Sequence, residues 1–149
     1  MLRNILSQFP NSDGLGVDGS INMIKNANKI DSKGNYLCTN LNTWRMTQKF
    51  NLIVSMEVIY YLDNPKTFIK SLFNHSLSAP GHIIIGIDHY IENKQSLSWP
   101  EDLNVHMNTL SINQWINIFN EIGYKDVSYE QFNKKEDWAG TLIISATKY

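Results

Sequence analysis

Several polar residues stand directly behind apolar, strand-like runs, and these could do chemistry. Asp18 follows Leu15-Gly16-Val17 and precedes Ser20, a residue able to cap a helix. A carboxylate at such a strand end can accept both hydroxyls of a ribose; the plainer alternative is an acid favoured by the dipole of the next helix. Ser55, Met56 and Glu57 close the run that starts at Phe50. Glu57 could complement a positive charge, orient a substrate or act as a base, or it could sit in a structural ion pair, since buried carboxylates need partners. Tyr60 and Tyr61 could pack over a substrate or cover the helix that follows. His89, in Asp88-His89-Tyr90, could serve as a general base near neutral pH, or be a loop histidine with a hydrogen bond. Trp99, Glu101, Asp102 and His106 lie on one connection, and Asp137-Trp138 comes later. Acids with aromatics suit a cationic amine through charge and cation–π contact; surface acids and packing tryptophans are the alternative. No Cys/His cluster has metal-ligand spacing, and no Ser-His-Asp set is legible.

The elements that must position these residues centre on residues 50–88, which read strand, helix, strand. Phe50-Asn51-Leu52-Ile53-Val54-Ser55 has no room for a polar face, as in a parallel strand buried on both sides. Asn64-Pro65 starts a helix, with Asn as cap and Pro where no N–H is needed. Phe68, Ile69, Leu72, Phe73 and Leu77 share its apolar face. Ala79-Pro80-Gly81 ends that helix, and residues 82–88 form the next strand. Polar residues gathered just past two parallel strand ends mark where open α/β sheets bind ligands.

Upstream, residues 2–9 have helical spacing, residues 10–14 a turn and residues 15–18 a strand. Ile21, Ile24, Ala27 and Ile30 give the next helix an apolar stripe, and residues 36–39 a strand ending at Asn40. Downstream, residues 89–108 form a long connection of the kind often used as a lid or binding loop. Ser111 and Gln114 make a capping box for a helix carrying Ile112, Trp115, Ile116, Phe119 and Ile122 inward and stopping at Gly123. Residues 124–131 and 140–147 are two late strands. The alternation predicts one α/β domain with a mostly parallel sheet and an antiparallel end.

Composition narrows the class. The 149 residues suffice for one domain with a real core. A net charge of −1 gives no long-range pull toward nucleic acid or anionic membrane, so neither is a favoured partner. No apolar run approaches the roughly 20 residues of a membrane span, and no signal-peptide pattern opens the chain. Cys38 is the single cysteine, which fits a reducing cytoplasm.

Gly16-Val17-Asp18-Gly19-Ser20-Ile21-Asn22-Met23, Phe50 to Val58, and Ala79-Pro80-Gly81 leading into Ile83-Ile84-Ile85 stand in order. In these three motifs the chain resembles the class I S-adenosylmethionine-dependent methyltransferases of small-molecule type, over nearly its whole length. The resemblance implies a Rossmann-like sheet with an antiparallel last strand and S-adenosylmethionine as cofactor. It implies that Asp18 holds the ribose, that Asn40 reads the adenine amino group where the family usually has an acid, and that Gly19, Met23 and Leu41 line the adenine. Ser55 and Met56 would face the methyl donor. Glu57 and His89 are the candidates for catalysis, with Tyr60, Tyr61, Trp99, Glu101 and Trp138 toward the substrate.

The family's first strand and its Gly-x-Gly-x-Gly loop are absent from this sequence. The chain begins about sixty residues late for the family, judged from the size of a strand–helix unit with an N-terminal cap. Two functions are therefore expected in competition. One is methyl transfer to a small molecule. The other is a truncated, non-catalytic remnant or interaction module, completed as a homo-oligomer or by a complementing chain that supplies the strand.

Overall fold

The fold is described from a computed structural model, which defines every residue except Thr47. The chain divides into two units, Met1–Trp44 and Arg45–Tyr149.

In the first unit, α1 (Leu2–Gln8), β1 (Gly16–Asp18), α2 (Ile21–Ile30) and β2 (Tyr36–Cys38) follow one another. β1 and β2 pair in parallel, with Asp18 opposite Cys38. Ser20 caps α2 by accepting the Met23 N–H. Of the apolar stripe on α2 only Ile24 is buried; Ile21 and Ile30 are exposed. A sheet of two three-residue strands has too little surface to cover a three-turn helix.

In the second unit the strand order is β3-β4-β6-β5: β3 (Phe50–Met56), β4 (Leu77–Ile87), β5 (Lys125–Phe132) and β6 (Thr141–Lys148). β3 and β4 are parallel, and β6 runs antiparallel to both β4 and β5. The last strand is thus the one reversed, as expected. One face carries Ile83, Ile85, Ile87, Leu142, Ile144 and Ala146, all buried. α5 (Ile112–Ile122) packs against β5 and β6, and α3 (Pro65–Ser71) packs on α5. Trp115 and Phe119 of α5 are fully buried. The expected caps are present: Asn64 accepts from Thr67 N–H, Ser111 and Gln114 form the reciprocal box, and Gly123 closes α5 at φ 109°. No helix among the described residues is long and apolar enough to cross a membrane.

Two boundaries differ from expectation. α3 continues through a π-helical turn, Leu72–Ser76, and β4 begins at Leu77 rather than at residue 82. Ala79-Pro80-Gly81 therefore lies inside the strand, where the register jumps from Phe50↔Leu77 to Leu52↔His82. A strand proline is tolerated at such an irregularity, and a side chain at Gly81 would meet Ser78 O at 2.6 Å. The connection after β4 is also more ordered than a loop: it holds a 3₁₀ turn, Lys94–Ser96, and a short helix α4, Trp99–Asp102.

Candidate active site

Parallel strands end with their polar residues on one edge, and each unit has such an edge. In the first, Asp18 closes β1. One carboxylate oxygen accepts the Ser20 N–H at 2.7 Å; among the described residues nothing bonds the other. Gly19 beside it has open space, a Cβ there meeting only Thr39 O at 3.8 Å. Asn40 follows β2 and accepts the Asn42 N–H at 3.0 Å, shaping a turn with Leu41 inside it. Its carbonyl oxygen keeps a second lone pair. Met23, in the first turn of α2, is 57% exposed.

The second unit gathers more. β3 ends at Met56, whose side chain lies over Gly86, the residue opposite it on β4. Glu57 then adopts φ 56°, a left-handed conformation that costs a residue with a Cβ and persists where surroundings impose it. Its Oε2 accepts the Tyr60 hydroxyl at 2.8 Å and the Asp88 backbone N–H at 3.2 Å. Its Oε1 is buried without a partner among the described residues. Burial pushes the Glu57 carboxyl up to about 7; the Tyr60 hydrogen bond opposes this and the charge of Asp88 adds to it. Burial likewise raises the Tyr60 phenol, with the neighbouring Tyr61 and Glu57 hydrogen bonds adding. Tyr60 is therefore the donor to Glu57, which fixes the direction of that bond.

Tyr60 and Tyr61 part company in the 3₁₀ turn Ile59–Tyr61. Tyr60 is buried, and Tyr61 is 40% exposed. Their rings begin a ladder. Tyr61 meets Tyr60 at 4.4 Å, Tyr60 meets His89 at 5.7 Å, His89 stacks on Trp99 at 6.3 Å, and Trp99 on Trp138 at 6.1 Å. Five of the residues singled out in the sequence are thus one contiguous aromatic array, with Glu57 bonded to its second ring.

His89 is wholly buried. Its Nδ1–H donates to Ser96 O and its Nε2 accepts from the Thr109 hydroxyl, both at 2.8 Å. Both ring nitrogens are spent inside the protein, and burial lowers its proton affinity. The ring ties residues 88–96 to Thr109. Glu101 and Asp102 on α4 are exposed and make no side-chain bond to the array among the described residues.

Spacing alone did not reveal three participants. Asn93, wholly buried, donates its amide to Asp88 O at 2.7 Å. Asn108 donates its side-chain amide to Tyr60 O and Leu62 O, at 3.1 and 2.6 Å. Thr109 holds His89. Each acts across a gap in sequence that no periodicity reports. A groove of about 390 Å³ lies elsewhere, over Leu52, His82, Ile84, Ser145 and Thr147 on a sheet face. It contains none of the predicted residues.

Residues 1–129 match a protein family described as a methyltransferase domain. Malonyl-[acyl-carrier protein] O-methyltransferase 2 of Ilyobacter polytropus is 32% identical over 144 residues, taking in 90% of this chain and 54% of that protein. The chain thus spans about half the length of that curated relative. Among solved structures, the complex between the Haloferax volcanii Trm112 methyltransferase activator and a methyltransferase matches with a TM-score of 0.85 at 21% identity, covering 98% of this chain and 76% of that one. An S-adenosylmethionine-dependent methyltransferase of Mesorhizobium loti matches at 0.79 with 16% identity, covering 99% and 85%. These likenesses establish the fold as the Rossmann-like one of class I methyltransferases.

Proposed function

The chain belongs to the methyltransferase domain family, and we propose that it moves a methyl group from S-adenosylmethionine to a small-molecule acceptor. The observation that carries this reading is Asp18, a carboxylate at a parallel strand end with one oxygen that no described residue bonds and open space at Gly19. That combination fits a ribose diol and the backbone approach of a nucleoside. Asn40 would accept from the adenine amino group, with Gly19, Met23 and Leu41 along the ring. In the second unit Ser55 and Met56 would face the methyl donor, and Tyr61, Trp99 and Trp138 the acceptor. S-adenosylmethionine supplies a methyl carbon on positive sulfur, open to in-line displacement. What the protein adds is positioning and, where the acceptor carries a proton, its removal. Glu57 is the better placed base, since His89 has both nitrogens engaged; His89 would position Tyr60 and Trp99.

Calorimetric titration with S-adenosylhomocysteine tests the reading. Micromolar binding, about −8 kcal/mol, abolished by Asp18→Ala, is the expected result. A folded chain that takes up none overturns it.

One observation favours a second reading. β3 bonds β4 on one side and no strand on the other among the described residues, and its Leu52 and Met56 are exposed. An apolar edge of this kind accepts a further strand. In this reading a complementing chain, or a second copy, pairs there and the cofactor binds only in the assembly. Light scattering with and without S-adenosylhomocysteine separates the two: a monomer that binds cofactor excludes the second.

A further inference from the structure

Three oxygens at and just beyond the ends of β3 and β4 receive no hydrogen from any described residue. Glu57 Oε1, Asp88 Oδ1 and Asn93 Oδ1 are all buried and unmatched. Buried polar atoms nearly always have a partner, so three require an explanation. The three residues are linked through the backbone of Asp88, whose N–H donates to Glu57 and whose carbonyl accepts the Asn93 amide. The Asn93 orientation follows from that bond, because a carbonyl can receive only its NH₂ end. Asn93 is wholly buried.

All three are acceptors, and two belong to carboxylates. A group rich in hydrogens and positive in charge would satisfy the two carboxylate oxygens, which the hydrogen-bonded Glu57 and Asp88 hold side by side. An anion is repelled, and an alcohol brings a single O–H. An ammonium brings up to three N–H groups and a charge. The aromatic ladder supplies the complementary surface, because Tyr61 is partly exposed and Trp99 and Trp138 are half-buried, and ring faces attract cations. We propose that the methyl acceptor is a cationic amine, its ammonium received by Glu57 and Asp88 beside the Tyr61–Tyr60–His89–Trp99–Trp138 ladder.

This names the substrate class of the methyl-transfer reading and rests on it. Glu57 is the group that takes the proton: an N–H bond breaks, an O–H bond forms on Oε1, and the nitrogen keeps the electron pair. The carboxylic acid then gives its proton to water. Asp88 holds the nitrogen.

Three probes of one shape test it: 2-phenylethylammonium, 2-phenylethanol and 3-phenylpropionate, titrated with and without S-adenosylhomocysteine and followed by calorimetry and tryptophan fluorescence. The expected order is ammonium tightest, by about tenfold over the alcohol, with no uptake of the carboxylate. Glu57→Gln and Asp88→Asn should each weaken ammonium binding by about tenfold and leave the alcohol unchanged. Should one variant fail to fold, the other and Trp99→Leu carry the test. Equal or tighter binding of alcohol or carboxylate overturns the proposal, as does ammonium binding that both variants leave intact. Uptake of S-adenosylhomocysteine with no uptake of ammonium overturns the amine alone. Failure to take up S-adenosylhomocysteine counts against methyl transfer itself, whatever the amine does.

Discussion

Glu57 Oε2 accepts the backbone N–H of Asp88 at 3.2 Å, so one carboxylate joins the ends of two neighbouring parallel strands. Glu57 N–H donates in turn to Gly86 O at 3.0 Å. The left-handed turn at Glu57 is what brings its side chain across to β4 rather than onward with the chain. A strained residue, a buried acid and two strand ends coincide there, as functional sites tend to arrange.

The Glu57 carboxyl, raised to about 7 from 4.5, makes stability depend on pH. Between those values the folded protein holds more proton than the unfolded chain, so stability falls as pH rises and levels off above 7. Glu57→Gln removes that slope. Urea unfolding at about pH 5 and about pH 8 should show the variant gaining on the wild type at the higher pH.

Tyr60→Phe removes the hydroxyl that Glu57 Oε2 accepts at 2.8 Å. The expected cost is about 1–2 kcal/mol. The Glu57 carboxyl should also move further upward, because that bond favours its charged form. Carbon-13 titration of the glutamates follows the shift directly; an unmoved Glu57 would mean the bond is not made in solution.

His89 behaves oppositely with pH. Its folded form resists protonation, so the stability it contributes is present above its ordinary value of 6.5 and is lost as pH falls below it. His89→Ala strands Ser96 O and the Thr109 hydroxyl and opens a cavity, costing about 2–4 kcal/mol. On the proposed methyl-transfer reading, if His89 only positions its neighbours, a variant that still folds keeps that activity with a raised KM. A loss confined to kcat would instead mark it as a base.

Asn40→Asp places a charge where the carboxamide stands. A charged acceptor strengthens a bond from an amino group, so S-adenosylhomocysteine should bind about threefold to tenfold tighter. Unchanged affinity would place the adenine away from the β2 end.

Ser111→Ala removes the reciprocal cap of α5, in which Ser111 accepts the Gln114 N–H at 3.2 Å and Gln114 the Ser111 N–H at 2.8 Å. A loss of about 1 kcal/mol in chemical unfolding is expected, with cofactor affinity untouched.

Much of this was legible in the chain itself. Asn64-Pro65, the Ser111/Gln114 pair and Gly123 mark helix ends because capping is satisfied within four residues. Asp18 and Glu57 stand out because an acid directly after an apolar run is a local signal. The resemblance to class I methyltransferases rested on the same short stretches, and the family match and the fold agree with it. The apolar stripe of α2 misled, since periodicity shows which face a helix could bury but not whether a surface exists to receive it. Proline at 80 misled as well, because its place in a strand depends on the register irregularity opposite Phe50.

What the sequence by itself determined is the order of the strands and of the helices α1, α2, α3 and α5, the caps of α2, α3 and α5, and the acids at the strand ends, all products of contacts within a turn or two. Only the tertiary structure decided that Tyr60, His89, Trp99 and Trp138 touch ring to ring in succession, that His89 is spent on Ser96 and Thr109, and that Glu57, Asp88 and Asn93 keep oxygens unmatched among the described residues. Those features come from strand pairing and loop packing across dozens of residues. Burial, which raises the Glu57 carboxyl and silences His89, belongs to the assembled unit and to no segment of it.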